Sequence, residues 1–335
     1  MAGDYVRRRR TETNARLDQL RSKLTAAEEQ ARGKACVYVT GSFGRTEAGR
    51  HSDLDLFIAG RTTDAPGSDT GRQKRRALPR LEEICIKADL IEANRELGIP
   101  AFSGDGEYLE HYTVDDLIKS LGRPEDDVRN TFTARLLLLL ESRPLFGEDV
   151  YDEALNDVIA AYWGDFEDHR NAFVPAFLAN DILRLWRTFC VNYEARTKRE
   201  PDERKAKRRL KNYKLKHSRL LTCYSAIAYL LAIFAERRTV APPDAYQLAR
   251  LTPTERLQAL VTQFGVDGSL VDEIIQLYET FLENTDRPED ELKEVFLNQA
   301  KTTQLSNEAA TFGDRVARLI QNVGKGSSLY RLILV

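Results

Sequence analysis

Leu17, Leu20 and Leu24 recur at helical spacing through an opening rich in Arg, Glu, Gln and Ala, which predicts one N-terminal helix across about the first thirty residues. Its basic start reads as solvated. The period then changes from helical to alternating: Ala35–Thr40 is a short β-rich run, a Gly/Arg turn follows, and Asp53–Ala59 is a second alternating run. Residues 60–78 hold Gly, Thr, Asp, Pro and Arg without period and predict a mobile loop, before a helical pattern over 78–97 that Gly98 and Pro100 stop. A short helix is expected over 113–122. The Leu-rich run that ends in Leu140 is too long for a typical strand and reads as a buried helix. From residue 149 onward the pattern predicts only helices, over 149–162, 171–197, 204–236, 244–248, 254–264, 268–284, 287–300 and 305–322.

This ordering predicts an α+β fold, a small mixed sheet with helices followed by an all-helical domain, divided as 1–147, 148–323 and a tail of 324–335. A chain of 335 residues suits two domains. With 42% hydrophobic and 30% charged residues, and only 19 Gly and 11 Pro, it is neither fibrous nor dominated by disorder. No stretch reads as a spanning segment, and no apolar run follows the basic N-terminus as a secretory signal requires, so a cytoplasmic location is expected. Four cysteines stand far apart without a CxxC pair, which argues against a zinc knuckle or a disulfide framework. The net charge of −2 means that any polyanion site must be local. No motif bears on oligomeric state.

Candidate chemistry concentrates in Gly41-Ser-Phe-Gly-Arg45 and Ser52-Asp-Leu-Asp-Leu-Phe57. On a strand, Asp53 and Asp55 project from one face while Leu54 and Leu56 face the core. Two carboxylates about 4 Å apart repel by about 4 kcal/mol at an effective dielectric near 20, and a divalent cation relieves that repulsion. Oxygen-only ligands favour Mg²⁺ or Mn²⁺. Upstream, Gly41 and Gly44 allow the backbone close to a ligand, Ser42 adds a hydroxyl beside amides able to hold a phosphate, and Arg45 adds charge. A phosphate cradle one strand away from paired carboxylates is the layout that phosphoryl transfer with metals requires. His51, Glu47 and Arg50 read as surface turn residues.

The pattern Gly-Ser…Gly-Arg followed by Ser-Asp-x-Asp resembles the signature of the DNA polymerase β-type nucleotidyltransferases, which move a nucleotidyl group from a nucleoside triphosphate to a hydroxyl. The resemblance implies a polymerase β-like catalytic domain, Gly41 and Ser42 as triphosphate contacts, and Asp53 and Asp55 as metal ligands. It also implies a third carboxylate on a later strand, for which Asp105 and Glu107 are the candidates, Glu107 preferred. The catalytic half, then Asp126…Glu141, then a helical half is similar to PII uridylyltransferases.

Residues 204–219 form the one concentrated basic segment, with Lys207, Lys211, Lys214 and Arg219 near helical spacing above Leu210, Tyr213 and Leu221. It suits a triphosphate or nucleic-acid phosphates, the alternative being a solvated, salt-bridged helix. Helical halves of related transferases contribute basic residues to the triphosphate, and the named contacts are Lys211, Lys214, and Ser218 or Arg219. In Asn180–Arg187, Trp186 can stack a base but reads more readily as core.

Tyr330 is a lone hydroxyl near the end of a Gly/Ser-tethered apolar tail, which is either docked or swapped to a partner, and a phenol beside a divalent ion can act as an acceptor. The whole arrangement resembles the nucleotidyltransferase of Hailong-type bacterial antiphage systems. That resemblance implies synthesis of short single-stranded DNA from dATP, primed on a C-terminal tyrosine, with the product restraining a membrane effector. The alternatives are a transferase that uridylylates or adenylylates a regulatory protein, and a nucleotide sensor without turnover.

Overall fold

The computed structural model describes residues 2–64, 74–102, 109–195 and 202–334, with the backbone alone for 193–195 and 202–204. The chain divides into an α/β unit, Arg8–Ala161, and a helical unit, Met1–Arg7 with Tyr162–Val335.

The α/β unit contains α1 (Asp4–Lys23, whose first residues group with the helical unit), α2 (Thr25–Ala31), β1 (Ala35–Thr40), α3 (Gly41–Gly44), β2 (Asp55–Gly60), β3 (Thr62–Asp64), β4 (Lys74–Arg76), α4 (Arg80–Glu96), β5 (His111–Thr113), α5 (Val114–Lys119), α6 (Glu125–Val128), α7 (Thr131–Glu141), β6 (Arg143–Phe146) and α8 (Glu148–Tyr162). One mixed sheet runs β5-β2-β1-β6, with β1 antiparallel to β2 and β6, and β2 parallel to β5. Both faces of β1 are covered, so its run of apolar residues is buried throughout. On one face Leu17 and Leu20 of α1, with Leu24 at the break before α2, join Val37, Val39, Leu56 and Ile58 and the α4 residues Ile86 and Leu90. On the other, Tyr38 stacks on Phe57 at 5.7 Å and meets Tyr151 of α8 at 6.1 Å.

The leucine run forms α7, buried on every side. Its Arg135 donates from both terminal nitrogens to Asp126 of α6, at 2.9 and 2.5 Å, and Asp126 also accepts from Ser120 and Thr131. Both partners are fully buried, so the charged residues of this motif hold α6 to α7.

The helical unit contains α9 (Ala176–Ala195), α10 (Asp202–Lys214), α11 (Leu220–Arg237), α12 (Pro242–Arg250), α13 (Pro253–Phe264), α14 (Gly268–Thr285), α15 (Glu289–Leu297), α16 (Gln299–Gly324) and α17 (Ser328–Leu334). α11 lies at its centre against α13 and α16. α13 starts where the sequence signals it, with Thr252 and Glu255 capping reciprocally and Pro253 at the first helical position.

Several expectations are corrected. The division falls at Ala161/Tyr162 rather than 147, because β6 pairs with β1 and α8 packs Tyr151 against Tyr38. Residues 1–7 group with the helical unit because the Glu279 carboxylate accepts from the amides of Gly3, Tyr5 and Val6. The predicted N-terminal helix is two helices interrupted at Leu24, and β5 and β6 add strands that no alternation announces. The predicted mobile loop is described only at its two ends, 65–73 lying outside the described residues; there β3 and β4 pair antiparallel, and Lys74 and Thr62 bond Asp115. The tail is a three-residue link to a docked helix: α17 packs on α9 and α11, Leu329 is buried, and the Tyr330 ring covers Gly324. One helix among the described residues, Lys205–Arg237, is long and apolar enough to cross a membrane, and 78% of its apolar window is buried.

Candidate active site

At the predicted site the antiparallel β1–β2 ladder closes with the Thr40↔Asp55 pair and the chain turns through α3. Gly41 adopts φ +62°, a left-handed conformation that side chains resist. A Cβ at Gly41 would lie 2.6 Å from Asp55 Oδ2, so the glycine lets this carboxylate rest against the main chain. Burial alternates as the period-2 reading requires: Leu54 and Leu56 are buried, Asp53 and Asp55 half-exposed. Strand β2 begins at Asp55, so Asp53 is in the segment just before it. Ser42, next in the chain after Gly41, is half-exposed.

Other parts of the turn do different work from that expected. Gly44 is a packing residue, since a Cβ there would lie 1.9 Å from the carbonyl oxygen of Glu141 at the end of α7. Arg45, expected to contact nucleotide, is buried and donates to Glu47 at 2.5 Å and Glu141 at 2.7 Å. Its charge is committed to holding the turn on α7, and Glu47 is buried with it instead of solvated. Thr46 follows at φ +58°, a strained conformation for a β-branched residue, of the kind that clusters at functional turns. His51 and Arg50 are exposed, as the surface reading expected.

Of the basic start of α1, read as solvated, Arg7 and Arg8 are exposed while Arg9 is buried and, with Thr13 and Arg16 further along, braces this turn. Arg9 and Arg16 donate to the carbonyls of Ala48 and Gly49, at 3.5 and 2.6 Å, and the Ala48 amide donates to Thr13 at 3.0 Å. The Arg16 guanidinium also lies 4.7 Å over the Phe43 ring. A sequence signal existed for Glu141: a carboxylate closing an apolar helix needs a buried cation.

Asp53 and Asp55 offer oxygen donors only, which suits a hard divalent cation. Among the described residues no cluster of three or more His, Cys, Asp or Glu forms a metal centre. Asp105 and Glu107, the candidates for a third carboxylate, lie outside the described residues.

The remaining candidates belong to the helical unit. Lys211 and Lys214 are exposed on α10, above buried Leu210 and Tyr213. Lys207 pairs with Glu289 at 3.2 Å, and Arg209 donates to the Phe296 carbonyl, so part of the basic face is held by α15. Between α10 and α11 the helix passes through a π-turn, Leu215–Arg219. Such turns recur at functional sites, and this one carries buried Ser218 and half-buried Arg219, whose guanidinium is 5.2 Å from the Phe189 ring. His217 within it stacks on Phe281 and Phe312, and burial pushes its pKa down to about 4. Trp186 is half-buried against Tyr224, and Asp181 is buried, accepting from the Tyr162 hydroxyl at 2.7 Å. Residues Asn180, Asp181, Arg184 and Arg187 line a cavity of about 520 Å³ along α9.

Comparison of the chain with protein families, with curated proteins and with solved structures returns no match.

Proposed function

We propose that the chain is a divalent-metal-dependent nucleotidyltransferase of polymerase β type. The observation that carries this reading is the junction of β1 and β2, where a glycine at positive φ seats the Asp55 carboxylate against the main chain while Asp53 precedes it at period-2 spacing. Asp53 and Asp55 would hold Mg²⁺ or Mn²⁺, whose charge, when bound, offsets that of the triphosphate and lowers the pKa of the attacking hydroxyl. Gly41 and Ser42 hold the triphosphate beside them, and the arginines of α1 keep the turn from moving. In the transfer, the acceptor oxygen bonds to the α-phosphorus, the α–β bridging bond breaks, and pyrophosphate leaves.

The acceptor proposed is Tyr330, the donor dATP, and the product short single-stranded DNA that acts on a membrane effector in antiphage defence. The docking of α17 favours a second reading, in which the hydroxyl belongs to another molecule such as a regulatory protein. Pyrophosphate release and intact mass, after incubation with dATP and Mg²⁺, test both. Asp53→Ala with Asp55→Ala is expected to abolish release, and Tyr330→Phe to abolish mass additions. Full release by the double variant overturns the enzyme reading. Additions that persist without Tyr330, or that appear on a foreign polypeptide from extract, move the acceptor elsewhere. Thermal stabilisation by dATP and Mg²⁺ without release identifies a sensor.

A further inference from the structure

We infer that the groove between β4 and the first half of α4 binds single-stranded nucleic acid through its phosphates. This concavity of about 820 Å³ is lined by Arg75, Arg76, Arg80 and Lys87, with Glu83 and Ile84 among them. Four cations face one carboxylate. Glu83 is already saturated: it accepts from Lys87 at 2.6 Å and Arg76 at 3.4 Å, and bonds His111 Nδ1 at 2.9 Å. Burial opposes its ionisation, but the hydrogen bonds from Lys87 and His111 outweigh that and hold its pKa below the usual range. Among the described residues, Arg75 and Arg80 form no ion pair, although both are exposed on the same concavity. In a chain of net charge −2, this local excess favours an anionic partner.

The arrangement selects the kind of anion. Arg80, Ile84 and Lys87 fall on one face of α4, at i, i+4 and i+7, and the outer two are about 10 Å apart along the axis. The duplex advance of about 3.4 Å per nucleotide is the least an unpaired strand takes, so that length holds at most about three phosphates. Guanidinium forks match phosphate oxygens, and half-exposed Ile84 between the cations offers an apolar contact to a sugar. No aromatic ring lines the groove among the described residues, so binding reads the backbone and not the bases.

The groove is also placed to receive a growing product. Arg76 donates to the His111 carbonyl at 3.0 Å, and His111 is paired with Ile58, three residues and about 10 Å along β2 from Asp55. The source of the strand rests on the nucleotidyltransferase reading; the binding does not.

Fluorescence anisotropy of a labelled oligodeoxyadenylate, in EDTA so that no turnover occurs, tests this. Arg75→Ala with Arg80→Ala is expected to weaken binding by about tenfold. It should also lower the slope of log K against log salt by about 1.4, the share of two phosphates on a single strand. Unchanged affinity and slope overturn the proposal. So does equal binding of a polyglutamate peptide or of tripolyphosphate with the same dependence on these arginines. Asp53→Ala with Asp55→Ala is expected to bind the strand as the native chain does, so loss of pyrophosphate release and loss of strand binding are separate failures.

Discussion

Replacing Gly41 by alanine perturbs the proposed centre without removing any functional group. The backbone at φ +62° costs a residue with a Cβ about 1–2 kcal/mol. The new methyl would stand 2.6 Å from Asp55 Oδ2, whereas ordinary contact begins at 3.4 Å, so the carboxylate must retreat by about 0.8 Å. A displacement near 1 Å at a reacting centre costs about 100-fold in rate. Gly41→Ala is therefore expected to release pyrophosphate about 100-fold more slowly from dATP and Mg²⁺, while its urea-unfolding free energy falls by only about 1–2 kcal/mol. Gly44→Ala is the contrast, because its methyl would meet the backbone oxygen of Glu141, which has no side-chain torsion to yield. That variant should lose stability and activity together. A Gly41→Ala protein as active as the native chain would refute the placing of Asp55 at the reacting centre.

Two further predictions concern what holds each unit together. Asp126→Ala leaves the Arg135 guanidinium buried without its carboxylate and is expected to cost about 3–5 kcal/mol, read as a lower urea midpoint; a loss under about 1 kcal/mol would mean that the pair contributes little. His217 has its pKa lowered from 6.5 to about 4 by burial, so as pH falls the unfolded chain takes up the proton first. Its contribution is complete above pH 6.5 and is lost down to about pH 4, a change of about 3 kcal/mol. Urea unfolding across that window should show a shallower pH dependence in His217→Phe, and an identical dependence would remove His217 as its source.

The sequence carried the parts of this fold that repeat. Alternation marked β1 and the start of β2, leucine density marked α7, and the spacing of Asp53 and Asp55 identified the half-exposed carboxylates beside Gly41. What escaped was specified by partners distant in the chain. β5 and β6 are three and four residues long and exist because β2 and β1 offer edges to pair with. The β3–β4 pair is built from Thr, Asp, Lys and Arg, so no apolar pattern announces it. Arg45 and Glu47 read as solvated or ligand-facing because charge implies exposure until a second carboxylate, Glu141, comes from nearly a hundred residues away. The Tyr330 segment looked like a tether because its Gly and Ser residues mark a break, and that break proved to be a corner between two helices.

The grip of Arg9, Thr13 and Arg16 on the carbonyl and amide groups of residues 48 and 49 gives the amino end an influence out of proportion to its distance from the carboxylates. Replacing Arg9 and Arg16 would slacken the glycine corner while leaving Asp53 and Asp55 chemically intact. The opening helix thus supports the proposed centre from well upstream in the chain.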